Sequence, residues 1–413
     1  MQAESLIIQA EKDCAEGHQY IQGIVEENQR RVLNAFREHR ISDAHLQGTT
    51  GYGYDDLGRE GLEAVYAEVF GGEDAVVRPQ IVSGTHAITT ALFGILRPQD
   101  ELVYITGHPY DTLEEVIGKP GKEEGALADF QIGYREVALT EAGKVDFEEI
   151  KRSWTKQTKV IAIQRSKGYG TRPSFTINEI KEMVAFVKEI DPFVIVFVDN
   201  CYGEFTETQE PLHIGADLIA GSLIKNPGGG LVRAGGYIAG RKDLIHLCAN
   251  RLTAPGLGKE TGASLGMLQE MYQGFFMAPH TVGEALKGAL FTARYLELAG
   301  FQTTPSYLEK RTDLIQTVTF KKAEEMIAFC QSIQKSSPIN SYVTPYPSGM
   351  PGYEDQVIMA AGTFIQGASI ELSADGPIRA PYTAYVQGGL TYTHVKIAVV
   401  EAVKTLQNQG FIS

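Results

Sequence analysis

Phe193-Val194-Ile195-Val196-Phe197-Val198-Asp199-Asn200 and, eighteen residues on, Leu218-Ile219-Ala220-Gly221-Ser222-Leu223-Ile224-Lys225 decide the fold of this 413-residue chain. Both are short apolar runs, the first dense in β-branched and aromatic residues. Runs of this kind suit strands covered on both faces of an open α/β sheet. Each ends in a charged residue, and the second continues into Asn226-Pro227-Gly228-Gly229-Gly230. Ligands of such sheets collect outside the carboxyl ends of the strands. Asp199, Lys225 and the glycine-rich loop are therefore expected to face one pocket.

The chain on either side repeats a strand–helix alternation. Strands are expected at Pro79-Gln80-Ile81-Val82, Glu101 to Thr106 and Val160 to Gln164, with an apolar helix from Ala87 to Leu96 and an amphipathic one from Ile177 to Ile190. Alternation of this kind implies right-handed crossovers and a mostly parallel sheet. Further on, Gly235 to Gly240 reads as a strand, Arg241 to Asn250 as a helix, and Pro255 to Ala299 as mostly helical. Thr312 to Phe320 and Val357 to Ile370 read as strands, Lys322 to Gln334 and Thr393 to Gln409 as helices, and Glu371 to Tyr382 as a loop. The length exceeds the usual single core. The expected division is a helical arm and glycine-tyrosine loop over 1–60, a large α/β domain over 61–300, and a smaller α+β domain over 301–413. In the arm, Ile21, Ile24, Val25, Val32, Leu33 and Phe36 recur at helical spacing, as on a core helix or an arm that packs on a partner subunit.

The net charge of −14 argues against a nucleic-acid or anionic-membrane surface. Cys14, Cys201, Cys248 and Cys330 are scattered without a CxxC pair, which fits a reducing compartment. No His/Cys/carboxylate cluster has metal-ligand spacing. The first residues carry no basic n-region or apolar h-region, and no apolar run approaches a membrane span, so a cytoplasmic protein is expected.

An acid and a lysine at neighbouring strand ends are the pair that pyridoxal phosphate requires. Its aldehyde condenses with a lysine amine, and its pyridine nitrogen needs an anionic partner to stay protonated. Singly, Asp199 reads equally as a loop cap and Lys225 as a surface lysine. Ser83-Gly84-Thr85-His86 opens the helix from Ala87, where free N–H groups and hydroxyls make either an anion site or an ordinary cap. Tyr110 follows a strand end, where a ring can lie flat on an aromatic ligand. The segment His45 to Arg59 carries four glycines with Tyr52 and Tyr54, and reads as a phosphate- or substrate-contacting loop or as a linker. Arg379, flanked by Pro377 and Pro381, is suited to bidentate carboxylate binding or is a surface arginine. No GxGxxG follows the first strand of a βαβ unit, which disfavours a nucleotide-dependent oxidoreductase.

The order Ser83-Gly84-Thr85, Tyr110, Asp199-Asn200, Ser222-Leu223-Ile224-Lys225 and a late Arg379 resembles fold-type-I pyridoxal-phosphate enzymes, nearest the transsulfuration group. Gln164-Arg165-Ser166-Lys167-Gly168-Tyr169, Gly221 to Gly229 and Gln387-Gly388-Gly389-Leu390 resemble the branch described as methionine γ-lyase-like or aluminium-resistance proteins. The resemblance covers essentially the whole chain. It implies a seven-stranded-type sheet, bound pyridoxal 5'-phosphate and a carbon–sulfur lyase acting on a sulfur amino acid. Other reactions on the same cofactor (aminotransferase or aldolase) and a non-catalytic cofactor-binding protein are the alternatives. By the resemblance Lys225 holds the cofactor and moves the α-proton, with a lowered pKa. Asp199 pairs with the ring nitrogen, and Tyr110 stacks on the ring. Gly84, Thr85 and Ser222 hold the phosphate, with Ser83 beside them. Tyr52 or Tyr54 reaches the phosphate of a neighbouring subunit, in a homotetramer built as a dimer of active dimers. Arg379 binds the substrate carboxylate, and His86 is a pocket candidate by position. Ile224 stands where the usual lyase motif has threonine, and Tyr110 is followed by Asp111-Thr112 in place of glycine and cysteine or serine.

Overall fold

The computed structural model describes residues 2–118, 124–350 and 354–412. Its large sheet contains β1 (Asp74–Arg78), β2 (Glu101–Tyr104), β3 (Gly133–Glu136), β4 (Thr158–Gln164), β5 (Ile195–Asp199), β6 (Leu218–Ser222) and β7 (Gly236–Gly240) in the order β1-β7-β6-β5-β4-β2-β3. The run β6-β5-β4-β2-β3 is parallel, and β7 is antiparallel to both of its neighbours. The mostly parallel sheet is therefore as expected, with one reversed strand.

Side chains alternate across a strand, and here both faces are apolar. Val196, Val198, Ile161 and Ile163 pack into one core with helices Leu57–Phe70, Ile177–Ile190 and Leu268–Leu298. Ile195, Phe197, Val160 and Ala162 pack into the other with helices Gly84–Ile95 and Lys242–Leu252. That two-sided burial is why the strand sequences read as unbroken apolar runs. The helix Ile177–Ile190 has the bounds expected of it, set by a capping box in which Glu179 N–H donates to Thr176 Oγ1 at 3.2 Å and Thr176 N–H to Glu179 Oε2 at 2.8 Å.

The smaller sheet is antiparallel, with β8 (Gln302–Thr304), β9 (Gln316–Phe320), β10 (Val357–Ala360), β11 (Ser373–Pro377) and β12 (Tyr382–Gln387) in the order β10-β11-β12-β9-β8. Helices Ala323–Lys335 and Tyr392–Asn408 cover it. The N-terminal helix Gln2–Glu38 lies along Leu268–Leu298 and buries Ala10, Cys14, Ile21, Ile24 and Val32, while Tyr20 and Leu33 stay exposed. It packs on its own chain as a core helix does.

Three expectations are corrected. Pro79 to Val82 is the turn after β1, and the strand lies earlier, where a buried ion pair between Arg78 Nε and Glu63 Oε1 (2.6 Å) admits charge. Of Val357 to Ile370 only Val357–Ala360 is strand, and the loop from Glu371 contains β11, a Ser-Ala-Asp-Gly-Pro strand paired on both sides.

At the junction of the two sheets Arg165 is fully buried just past β4. Its guanidinium donates to Asn200 Oδ1 (2.9 Å), Thr206 Oγ1 (3.3 Å), Glu207 Oε1 (3.3 Å) and Thr312 Oγ1 (3.4 Å), and pairs with Glu210 Oε2 at 3.5 Å. A Cβ on Gly203 would stand 2.4 Å from Arg165 Cδ, so glycine is needed there. Removing one partner from a buried charged network leaves the others unpaired, at a cost of roughly 3–5 kcal/mol. Arg165→Met is expected to lose about that much stability in urea-unfolding measurements. A change within 1 kcal/mol of zero would show that the network contributes nothing net.

Candidate active site

A cavity of about 210 Å³ opens at the carboxyl ends of β4, β5 and β6. Of the candidates read from the sequence, Ser83, Gly84, Thr85, Tyr110, Asp199, Ser222 and Lys225 line it together. Local structure places each of them. Ser83 caps the helix Gly84–Ile95, its Oγ accepting the His86 N–H at 3.0 Å, which leaves the Gly84 and Thr85 amides at a helix start. A Cβ on Gly84 would stand 3.3 Å from Ser222 Cβ and 3.2 Å from Cys201 Sγ, so the helix start and the end of β6 approach closely at this glycine. The Tyr110 ring is accommodated by Gly168 (φ +56°), where a Cβ would come 2.7 Å from Tyr110 Cδ2.

Lys225 ends the turn that leaves β6. The preceding carbonyl, of Ile224, accepts the Ile370 N–H at 3.1 Å, and Ile370 O in turn accepts the Gly389 N–H at 2.8 Å. The Gln387 to Leu390 motif thus braces the lysine loop from the smaller sheet. Lys225 Nζ lies 3.9 Å from the centroid of the Tyr202 ring, within cation–π range. Tyr202 takes a left-handed φ of +68°, a conformation that costs a non-glycine residue about 1–3 kcal/mol and clusters at functional sites.

The charges here are buried. Burial pushes the Asp199 carboxyl up, against the pull of Lys225, the Cys201 N–H (3.1 Å to Oδ1) and Arg172. For Lys225 burial works against the charge, but Tyr202, Cys201 and Asp199 outweigh it and hold the ammonium above the usual lysine value. The lowered lysine pKa expected from sequence belongs to an amine beside a cationic cofactor ring; the chain's own Tyr202, Cys201 and Asp199 hold it up. Burial also raises Tyr202 to about 12. One layer behind, burial lifts Glu204 to about 8 and Asp375 to about 7.

Other candidates lie elsewhere. Tyr52 and Tyr54 stack on each other, 5.6 Å between centroids, on the exposed surface outside the cavity. His86 turns back on its own segment, Nδ1 accepting the Val82 N–H at 3.1 Å, and does not line the cavity. Arg379 is half exposed, donates to Asp355 at 2.9 Å, and borders a second cleft that shares Tyr110 and Gln164 with the first. The sequence reading missed Gln164, Ser166, Gly168, Cys201, Tyr202, Thr112 and Val82 as lining residues. Their signal was position: each follows or ends a strand or begins a helix beside a residue already singled out.

Pyridoxal phosphate fits this donor set. The cavity offers an amine for the aldehyde, a carboxylate for the ring nitrogen, a tyrosine ring for stacking, and hydroxyls with helix-start amides for a phosphate. Lys225 is the one cation among the described lining residues. A lysine and an acid at adjacent strand ends of a seven-stranded α/β sheet define a fold-type-I pyridoxal-phosphate protein. The fold is shared with the pyridoxal-5'-phosphate-dependent protein YhfS of Escherichia coli, at TM-score 0.62 and 16% identity over 93% of this chain and 97% of that one. The methionine gamma-lyase family model matches residues 3–407, and the chain belongs to that family. It is 63% identical over 406 residues to the uncharacterized protein YnbB of Bacillus subtilis, covering 98% of this chain and 96% of YnbB. It is 60% identical, at TM-score 0.96, to a crystal structure of a candidate cystathionine β-lyase involved in aluminium resistance from Listeria monocytogenes, covering 97% and 99% of the two chains.

Glu204 supplies a test of the buried charge. Its Oε1 accepts the Tyr237 O–H at 2.8 Å while Oε2 has no partner among the described residues. Its pKa rises from 4.5 to about 8 on folding, so between those values the folded chain keeps a proton that the unfolded chain has lost. Stability is therefore full below the lower value and falls as pH rises through the upper one, by about 1 kcal/mol per pH unit. Glu204→Gln keeps the acceptor and removes the titration. In urea melts from pH 5 to 9 the variant is expected to gain on the wild type as pH rises; parallel curves would show that Glu204 is already ionised at pH 5.

Proposed function

We propose that this protein is a pyridoxal-phosphate-dependent carbon–sulfur lyase acting on a sulfur amino acid such as cystathionine, cysteine or methionine. The observation that carries this reading is the meeting of Lys225, Asp199, Tyr110 and the Ser83-Gly84-Thr85 helix start in one cavity. Family membership and the Listeria relative support it. Bound there, pyridoxal phosphate supplies an aldehyde that condenses with amines and a protonated ring that accepts electrons as a substrate α-proton leaves.

The chain's own groups do the rest. Lys225 Nζ is the amine that the aldehyde meets at rest and, once displaced by the substrate amine, the base that takes the α-proton. The Asp199 carboxylate holds the proton on the ring nitrogen. The Tyr110 ring stacks on the cofactor, and the Ser83, Thr85 and Ser222 hydroxyls with the Gly84 and Thr85 amides hold the phosphate. The cavity brings no second cation to that phosphate. In this reading Tyr52 or Tyr54, both exposed on the chain's surface, reaches the phosphate of a neighbouring subunit in a cytoplasmic homotetramer. Among the described residues no helix is long and apolar enough to cross a membrane. Arg379 at the rim of the adjoining cleft receives the substrate's carboxylate side.

Borohydride reduction of the purified protein followed by peptide mapping is expected to leave a pyridoxyl group on Lys225. With a sulfur amino acid the protein is expected to release a keto acid and ammonia without an added amino acceptor, which separates a lyase from an aminotransferase. Lys225→Ala should lose the adduct and at least about a thousandfold in rate. Normal turnover in that variant, or an adduct at another lysine, would remove the assignment.

A further inference from the structure

The segment after β4 leaves the large sheet at Arg165 and closes on itself, the Phe175 N–H donating to Arg165 O at 3.0 Å. Its base is tied down by Ser166 and Ser174, whose hydroxyls donate to Asp313 Oδ2. The Lys167 ammonium adds a hydrogen bond to Thr304 O at 3.3 Å. Beyond that base, Gly168 and Tyr169 back the cavity. Gly168 takes φ +56°, and a Cβ there would come 2.7 Å from Tyr110 Cδ2. The backbone of the loop therefore lies directly against the edge of the Tyr110 ring. The Tyr169 ring stands beside it, 6.1 Å between centroids.

What grips this part of the loop comes from the smaller sheet. The buried Tyr385 O–H donates to Tyr169 O at 2.7 Å, and the two rings lie 5.0 Å apart. Tyr385 of β12 is paired directly with Asp375 of β11. Opposed residues of an antiparallel pair share one face of the sheet, so the Asp375 carboxyl comes to the same place. There the Tyr169 hydroxyl draws that carboxyl down, against the burial that pushes it up to about 7. Tyr385 also packs in one cluster with Cys201, Tyr202 and Ile315, and Tyr202 is the ring over which the Lys225 ammonium lies. Buried tyrosine hydroxyls find a partner. This one spends its donor on a carbonyl of the other sheet's loop, one residue from the glycine that touches Tyr110.

We propose that Tyr385 is the positioning residue of Tyr110: through Tyr169 O it fixes the loop on which that ring rests, so the smaller sheet sets how Tyr110 meets the cofactor. This rests on the reading of Tyr110 as the stacking ring, but its first test needs no cofactor. Tyr385→Phe keeps the ring and its packing and removes only the donor. Amide hydrogen exchange of the purified proteins, read by mass spectrometry, is expected to quicken about tenfold in residues 166–170 and 108–113 together, as for the loss of one hydrogen bond. Exchange in β5 and β6 should stay as in the wild type. Gly168→Ala leaves Tyr385 in place and presses on the ring directly, so it should quicken 108–113 by itself. In protein loaded with pyridoxal phosphate, the cofactor's visible circular dichroism should lose intensity in Tyr385→Phe, a signature that a tyrosine with only a packing role would not move. Quickening confined to 166–170, or spread through β5 and β6, would overturn the proposal. So would unchanged dichroism in a fully loaded variant. Coupled quickening in a protein that takes up no pyridoxal phosphate would uphold the hold of Tyr385 on Tyr110 and remove the cofactor reading instead.

Discussion

The guanidinium of Arg165 is the constraint on which the rest of the molecule depends. It follows β4 directly, and its own N–H donates to Asp199 O at 3.1 Å, so a buried charge is fixed one residue from the acid of the cavity. To satisfy it, the chain from Gly203 to Glu210 wraps around the side chain and turns two carboxylates inward. Burial drives Glu207 up, but Arg165, Lys310 and the Ile177 N–H together outweigh it and hold that carboxyl below its usual value. The same loop then serves as a meeting point. Asn28 of the N-terminal helix donates to the Phe205 and Glu207 carbonyls at 3.0 and 3.1 Å, and Thr206 Oγ1 donates to Thr312 O at 2.9 Å on the approach to β9. One arginine joins the arm, the large sheet and the smaller sheet.

The cavity repeats this logic with less compensation. Lys225 and Asp199 hold each other's charge in a low-dielectric interior, where an interaction that is modest in water becomes strong. For the acids behind them, Glu204 and Asp375, burial outweighs the pull of Lys225 and carries both toward neutrality. Lys167 stands two residues beyond Arg165 in the same phrase of sequence. Arg165 is surrounded by acceptors and Lys167 is not. Neighbouring buried cations of one loop thus divide into one held by many acceptors and one that donates a single hydrogen bond, to Thr304 O.

The elements that were legible in the sequence are those whose burial is symmetrical. β5 and β6 carry apolar residues toward both cores, and the helix Ile177–Ile190 has a capping box at its start. Strands held by something other than apolar pattern were not legible. β1 begins and ends in charge and depends on the Arg78–Glu63 pair. β3 (Gly133–Glu136) lies at the sheet edge with no fully apolar face. β11 is Ser-Ala-Asp-Gly-Pro, which local propensity assigns to a turn and its two neighbours turn into a strand. The site divides in the same way. Residues at strand ends and the capped helix were readable because topology brings them together. Cys201 and Tyr202 were not, because an unusual backbone turn presents them. The glycine-tyrosine loop and Arg379 were singled out by composition, which does not say which surface a loop faces.

The link from Ile224 through Ile370 to Gly389 bears on the order in which this protein can be made. The carbonyl just before the cavity lysine has no partner until Ile370 has been synthesised, and Ile370 is itself held by Gly389 at the approach to the last helix. A ribosome that has finished the entire large sheet has therefore produced every group of the cavity without the brace that positions its lysine. Cofactor capture in the final geometry has to wait for the closing segment of the chain, so a nascent or prematurely terminated product would carry the chemistry in its sequence and lack the support that aims it.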